Sequence, residues 1–323
     1  MSQSSTTNRP RVPEGAHPVY TGKYLLPTPP LARLCDDIRR WLDMRAPGAM
    51  VEGPQRFGKT RSVRFSIKEL KHIYGDNFPV FSFDCRDYRF PSDSVFFGDI
   101  LDDLGHGMSR SGTATARRAR LIQYLCHRAA ETDHRRLVLI ADEAQKLREF
   151  HYKWLVDLYN ELERKDITPT MILVGQPELV HQRDAFDKAK QKQIVGRFMV
   201  HHHHFDGIQS AKDLKYCLRG YDEGSEFPAQ SGWSFTRYFF PSAFEQGWRL
   251  AVQSTTLWEA FQEIRTETQL PGKAELPMQY VARSIEYALR KFSNLDDDVA
   301  KLSLNQWKEA IVASGYCDAG RYL

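Results

Sequence analysis

Eight consecutive residues limit what this chain can fold into more than any other feature: Gly53-Pro54-Gln55-Arg56-Phe57-Gly58-Lys59-Thr60. They fit the pattern G-x-x-x-x-G-K-[ST]. Their surroundings fit as well, because an apolar run at Ala49 to Val51 precedes them and a helical pattern from about Lys59 to Ile73 follows. The glycines let the backbone turn so that successive N–H groups converge on an anion at a helix N-terminus. Lys59 then reaches the β and γ phosphates of a nucleotide, and the Thr60 hydroxyl ligates Mg²⁺. The chain is therefore read as an ATP- and Mg²⁺-binding P-loop ATPase. Its nucleotide-contacting segment is Gly53, Pro54, Gln55, Arg56, Phe57, Gly58, Lys59, Thr60 and the adjoining Arg61.

Further short apolar runs stand at Val80 to Phe83, Leu137 to Ile140 and Met171 to Val174, with a weaker one at Phe198 to Val200. Helical patterns separate them, at 59–73, 95–104 and 115–130, and another helix over 31–44 precedes the first run. Short buried runs alternating with helices predict a parallel sheet flanked by helices, an α/β class. From Phe205 onward the strand signal fades, and helical segments at 210–220, 241–264, 277–292 and 304–313 predict a helical second unit, with a Gly/Pro/Ser-containing insertion near 221–233. The expected organisation is a flexible tail over 1–17, a nucleotide-binding domain over 18–209 and a mainly helical unit over 210–323.

Two strand ends carry chemistry. Leu137-Val-Leu-Ile-Ala-Asp142-Glu143 delivers adjacent carboxylates downstream of the P-loop: Asp142 for the Mg²⁺ shell and Glu143 as the base that orients and polarises the attacking water. Met171-Ile-Leu-Val-Gly175-Gln176 ends in an amide able to sense the γ-phosphate or that water, or else in a plain Gly-Gln-Pro turn. Arg197, in Ile194-Val-Gly-Arg197-Phe198, falls at the start of the last expected strand. There it can reach into a neighbouring subunit's site and stabilise charge on the transferring phosphoryl group, or serve as an ordinary surface arginine; Arg183 is the poorer candidate.

Lys and Arg number 45 against 41 Asp and Glu, a net charge of +4, so any basic surface must come from local clustering. One cluster exists: Arg110, Arg117, Arg118 and Arg120, mixed with Ser and Thr around the small-residue loop 105–113. It reads equally as a solvated helix face and as a track for a DNA backbone. No stretch approaches the roughly eighteen apolar residues of a membrane span, and the first residues lack the apolar core of a secretory signal, so a cytoplasmic protein is expected. The five cysteines are scattered without C-x-x-C spacing, which predicts reduced thiols. The run His201 to His204 would alternate faces in a strand and so cannot form one metal site. The aromatic crowd from Trp233 to Trp248 reads as a packed lid or a subunit contact.

Taken in order, GPQRFGKT, LVLIADEAQKL, MILVGQPEL and IVGRF resemble the AAA+ ATPases of Tn7-like transposons, the TnsC/TniB family, which is related to the ExeA-type secretion ATPases. The resemblance covers about residues 31–210, and the chain's 323 residues look like the short TnsC proteins of CRISPR-associated transposons. It implies a bacterial AAA+ regulator that assembles as a ring or filament, a hexamer or heptamer per turn, on double-stranded DNA. Such a regulator links a target-selection protein, TniQ-like or a CRISPR effector complex, to transposase subunits. It also implies Lys59, Asp142, Glu143, Gln176 and Arg197 as the hydrolytic set, and favours the 109–120 segment as the DNA path. The usual sensor-2 Gly-Ala-Arg run is missing, leaving Arg249 and Arg283 as substitutes. The alternatives are an ExeA-like ATPase of secretion or envelope assembly, for which a membrane span or peptidoglycan-binding region is not evident, and an ATP-binding scaffold without turnover.

Overall fold

In the computed structural model, residues 9–13, 15–132, 134–270, 275–293 and 302–320 are described. The chain divides into two compact units: Arg33–Phe205, and the described residues up to Ala32 together with those from Asp206 on.

The first unit is built on five parallel strands, β1 (Gly48–Glu52), β2 (Val80–Asp84), β3 (Arg136–Asp142), β4 (Thr168–Gly175) and β5 (His201–His204), in the order β2-β3-β4-β1-β5. Their near-continuous apolar runs are what a sheet covered on both faces requires, and the period of two sorts each run between two cores. Met50, Phe83, Leu137, Leu139, Ala141, Met171 and Leu173 pack with helices Asp93–Asp103, Ala114–Ala130 and Glu149–Glu163. Ala49, Val51, Val138, Ile140, Ile172 and Val174 pack with helices Pro29–Asp43 and Lys59–Tyr74. Because β4 lies between β1 and β3, the three chain ends that follow these strands are neighbours at one edge of the sheet. That edge is where ligands of open α/β sheets bind.

The last strand differs from the sequence expectation. Phe198 is not in a strand: Val195–Met199 forms a π-helical turn, and β5 begins only at His201. Phe198 and Met199 are buried, so their apolarity reflects core packing of a turn and not a strand. The histidines do alternate. His202 and His204 both reach Glu52 Oε1, at 3.0 and 2.7 Å, while His203 lies 2.7 Å from Asp37.

The second unit is helical: Ala211–Asp222, Ser254–Glu267, Met278–Phe292 and Leu304–Ala313 are its main helices. The stretch expected as one helix over 241–264 is broken into Pro241–Glu245, a 3₁₀ turn at Leu250–Gln253 and Ser254–Glu267, with Gly247 at φ +89° between the first two. Phe235, Tyr238, Phe239 and Phe240 are buried in this unit's own core, and Trp233 is buried as well. Segment 18–32, read from the sequence with the first domain, counts with this unit, since Val19 and Leu26 belong to its core. Nor is 9–17 a bare tail: His17 is fully buried, with the rings of Phe227, Phe235, Tyr238 and Phe239 at 4.4–5.0 Å. Residues 1–8 of that expected tail lie outside the described residues. All five cysteines are unpaired, with Cys85 and Cys217 buried.

Candidate nucleotide-binding site

The loop 53–58 leaves β1 and enters helix Lys59–Tyr74 through two left-handed residues, Arg56 at φ +67° and Gly58 at φ +103°. Only glycine adopts the second of these without strain. At the other end of the loop, a Cβ on Gly53 would lie 2.5 Å from the Phe205 carbonyl oxygen, so the chain leaving β5 is pressed against the loop's first residue. Phe205 N donates to Glu52 O at 2.7 Å and fixes that contact. The Lys59 ammonium donates to the Gly53 and Pro54 carbonyls, both at 2.6 Å. Burial holds it below the usual lysine range, opposed by the carboxylates of Glu143, Asp142, Glu52 and Glu178. Of the remaining loop residues, Gln55, Arg56 and Arg61 are exposed, while Phe57 turns into the core and offers only its backbone.

Across the sheet edge, Thr60 Oγ1 donates to Asp142 Oδ1 at 3.3 Å, and Glu143 N donates to the same oxygen at 3.0 Å. Burial raises the Asp142 carboxyl above its ordinary range, while these two donors pull it back. Glu143 itself is left-handed, φ +56° and ψ +37°, and turns the chain from β3 into the 3₁₀ turn Ala144–Lys146. A non-glycine residue held there is a strained one, a state that persists where surrounding contacts over-determine it. Gln176, at the end of the intervening β4, faces both sides: its Oε1 accepts from Gln55 Nε2 at 2.8 Å, and its Nε2 is 3.5 Å from Glu143 Oε2. Lys59, Thr60, Asp142, Glu143 and Gln176 are thus brought together. An ammonium, a hydroxyl and a carboxylate beside a glycine cradle are the donor set that fits a triphosphate and its Mg²⁺.

The other residues singled out in the sequence lie elsewhere. Arg197 sits in the π-helical turn with its guanidinium 5.1 Å from the Tyr159 ring centre, and its Nη1 is buried without a hydrogen-bond partner among the described residues. Its carbonyl would be 2.7 Å from a Cβ on Gly48, which is the opposite end of β1 from the P-loop, about 13 Å away at 3.3 Å per residue. It therefore cannot serve its own chain's site. Arg183 pairs with Asp184 at 3.2 Å. In the helical unit, Arg249 donates to the Phe244 and Trp248 carbonyls, at 2.9 and 2.8 Å, and Arg283 donates to the Gln279 side-chain oxygen at 2.9 Å.

The arginines of the basic cluster are engaged by acceptors of their own unit. Arg110 pairs with Asp99 at 2.6 Å and Asp102 at 2.8 Å. Arg117 donates to the carbonyls of Ser94 and Arg110, and Arg120 to those of Met108 and Ser111. These three hold the 105–113 loop, whose Ser109 is buried, so the loop is tied down and not loose. Arg118 is 3.6 Å from Asp157. Sequence reasoning missed Gln145, whose amide contacts Glu143; its one signal was the Asp-Glu-Ala-Gln run.

Residues 43–182 match a family model described as an AAA domain. Among solved structures, the chain is similar to the Aeropyrum pernix ORC2 protein in its ADPNP-ADP complexes, with a TM-score of 0.58 and 13 % identity over 92 % of this chain and 71 % of that one. The ADP form of the same protein gives 0.55 and 13 %, over 91 % and 71 %. No curated protein matches the sequence. At such identity the likeness concerns the fold, and sheet order, loop and family model agree on it: a P-loop AAA+ fold, with residues 43–182 matching the AAA domain, followed by a helical region.

Proposed function

We propose that the protein is an ATP-hydrolysing regulator of DNA transposition, which oligomerises on double-stranded DNA and connects a target-selection protein to the transposase. The hydrolytic part rests on one observation: Thr60 and Gln55 on the P-loop side of the sheet edge, and Asp142, Glu143 and Gln176 on the other, share a single hydrogen-bonded cluster, with the Lys59 ammonium held on the adjoining Gly53 and Pro54 carbonyls. Bound ATP and Mg²⁺ would supply the phosphoanhydride bond and the charge that polarises it. The chain's own part is to hold and orient. Lys59, released from the Gly53 and Pro54 carbonyls, neutralises phosphate oxygens; Thr60 and Asp142 hold the metal; Glu143 accepts the proton of the attacking water. Arg197, remote from its own loop, is assigned to the neighbouring subunit's site, which would make turnover depend on assembly.

The transposition part is supported by the four motifs and their order, through the resemblance to the TnsC/TniB ATPases. Among the described residues no helix is long and apolar enough to cross a membrane. Imaging with DNA and a slowly hydrolysed ATP analogue tests it. Rings or filaments should form with the wild type, persist in ATP with Glu143→Gln, and fail with Lys59→Ala. A Lys59→Ala protein that coats DNA like the wild type would reject the reading.

A further inference from the structure

Gln145 lies two residues beyond Glu143, in the 3₁₀ turn, and both ends of its side chain are engaged. Its Oε1 accepts from the backbone N–H of Gln176 at 3.2 Å, and its Nε2 donates to Glu143 Oε2 at 2.8 Å. The orientation of this amide is not interchangeable. A backbone N–H can only donate, so the oxygen must face Gln176, and the nitrogen is left for the carboxylate. Gly175 makes the arrangement possible, since a Cβ there would lie 2.5 Å from Gln145 Oε1 and displace the amide. The turn carrying Gln145 is itself fixed from outside: Gln182 Nε2 donates to the carbonyls of Gln145 and Leu147, at 2.7 and 2.8 Å.

Glu143 needs such a clamp. Its backbone is in the left-handed region, its carboxylate is only half-buried, and its other contacts are long, 3.5 Å to Gln176 Nε2 and 3.7 Å to Lys146. The 2.8 Å bond from Gln145 is the shortest recorded for that carboxylate among the described residues. From the P-loop side, Gln55 holds Gln176 by its Oε1, which leaves the Gln176 nitrogen turned to the same Glu143 oxygen. Two amides, Gln55 and Gln176, therefore join the phosphate loop to the carboxylate, and a third, Gln145, joins the carboxylate to the end of β4.

We infer that Gln145 is the positioning residue for Glu143: it fixes the carboxylate that takes the water's proton and ties its place to the end of β4. This rests on the hydrolytic reading above. The side-chain contacts of Gln145 are with Glu143 and the Gln176 backbone, so its effect runs through Glu143. A general base misplaced by a fraction of an ångström loses turnover while ground-state binding is untouched.

The informative substitution is Gln145→Glu. It keeps an acceptor for the Gln176 N–H but removes the donor to Glu143 and sets a like charge beside it. If Gln145 merely held β4, this variant would behave as wild type. If Gln145 positions Glu143, turnover should fall about ten- to a hundred-fold with the nucleotide Kd within about three-fold and an unchanged melting temperature. Gln145→Leu should lose turnover similarly and also soften the β4 end. Phosphate release with DNA, and equilibrium binding of a fluorescent ATP analogue with Mg²⁺, read the two quantities. Wild-type turnover by Gln145→Glu beside an active wild type overturns the positioning role alone, as does a loss confined to Kd. Absence of turnover in the wild type with DNA and Mg²⁺ overturns the hydrolytic reading and this role with it.

Discussion

Replacing Gly53 by alanine tests the site at the place where the fold leaves least room. The added Cβ would stand 2.5 Å from the Phe205 carbonyl oxygen, and 3.3 Å from both the carbonyl carbon and Cβ of that residue. Ordinary contact begins at 3.4 Å, so loop and β5 must separate by about 0.9 Å (3.4 − 2.5). Both partners are backbone, and the Phe205 N–H is already bonded to Glu52 O, so no flexible side chain can absorb the shift. Overpacking of this kind costs about 1–3 kcal/mol. In a domain of this size that lowers the melting temperature by about 2–4 °C for each kcal/mol. The same displacement moves the Gly53 and Pro54 carbonyls that hold Lys59, and the N–H groups meant for phosphate. Losing one or two charge-assisted contacts predicts a Kd for Mg²⁺-ATP raised about ten- to a hundred-fold. Thermal melting and binding of a fluorescent ATP analogue measure the two effects. Gly107→Ala is the control, since a Cβ there meets nothing within 4 Å and its φ is not in the left-handed region. Gly53→Ala with unchanged Kd and melting temperature would refute both the packing argument and the place of the loop in nucleotide binding.

Other outcomes follow from single contacts. Glu143→Gln should retain nucleotide binding and lose about 10²–10⁴ of turnover, read by phosphate release. Arg117→Ala, which removes donors to the Ser94 and Arg110 carbonyls, should lower the melting temperature while leaving the salt dependence of DNA binding unchanged; an arginine on a DNA phosphate would instead change the log–log slope by about one. Arg197→Ala should leave monomer stability and nucleotide binding near wild type and remove the dependence of turnover on protein concentration, a point checked by phosphate release across a dilution series. Acid should weaken the nucleotide-binding unit through His151, which burial, with a smaller contribution from Arg148, pushes down to about 4 from 6.5. The unfolded chain takes up this proton first, so stability is complete above pH 6.5 and falls between 6.5 and 4. The loss is on the order of 3 kcal/mol, and chemical denaturation across that range in wild type and His151→Gln should differ by one proton's slope.

Much of the fold was legible because its signals are local. The runs at 49–51, 80–83, 137–140 and 171–174 each mark a strand, since a strand covered on both faces has to be apolar throughout. The P-loop and the Asp142-Glu143 pair announced themselves by spacing, and the sheet order brought them together. What failed were signals whose meaning depends on distant partners. Phe198 to Val200 has strand composition, yet its backbone closes a π-helical turn under the tyrosines of helix Glu149–Glu163, with Tyr152 and Tyr159 both near the Phe198 ring. Histidine is a poor strand marker, so the apolar run at Phe198 to Val200 drew the expected bounds too early; the side chains of His202 and His203 are satisfied by Glu52 and Asp37, 150 and 166 residues earlier in the chain.

The basic cluster teaches the same point from the other side. Arg110, Arg117 and Arg120 look like a free positive surface when only neighbours in sequence are counted. Their acceptors are nevertheless close in sequence too: Asp99 and Asp102 on the preceding helix, and the carbonyls of residues 94, 108, 110 and 111. Loops rich in glycine and serine leave carbonyl groups that no helix satisfies, and arginine, with five donors in a planar fork, is the side chain best able to collect several of them at once. Arginines beside such a loop are thus as readily its fasteners as a phosphate track, and the sequence pattern of the two is identical. Gln145 shows the converse. Apart from the Asp-Glu-Ala-Gln run that holds it, nothing in the sequence marks this turn residue, yet its amide is oriented by a backbone N–H and aimed at the one carboxylate the proposed chemistry needs. The distinction between these cases is made by counting which donors are already used, and only then asking what remains for a ligand.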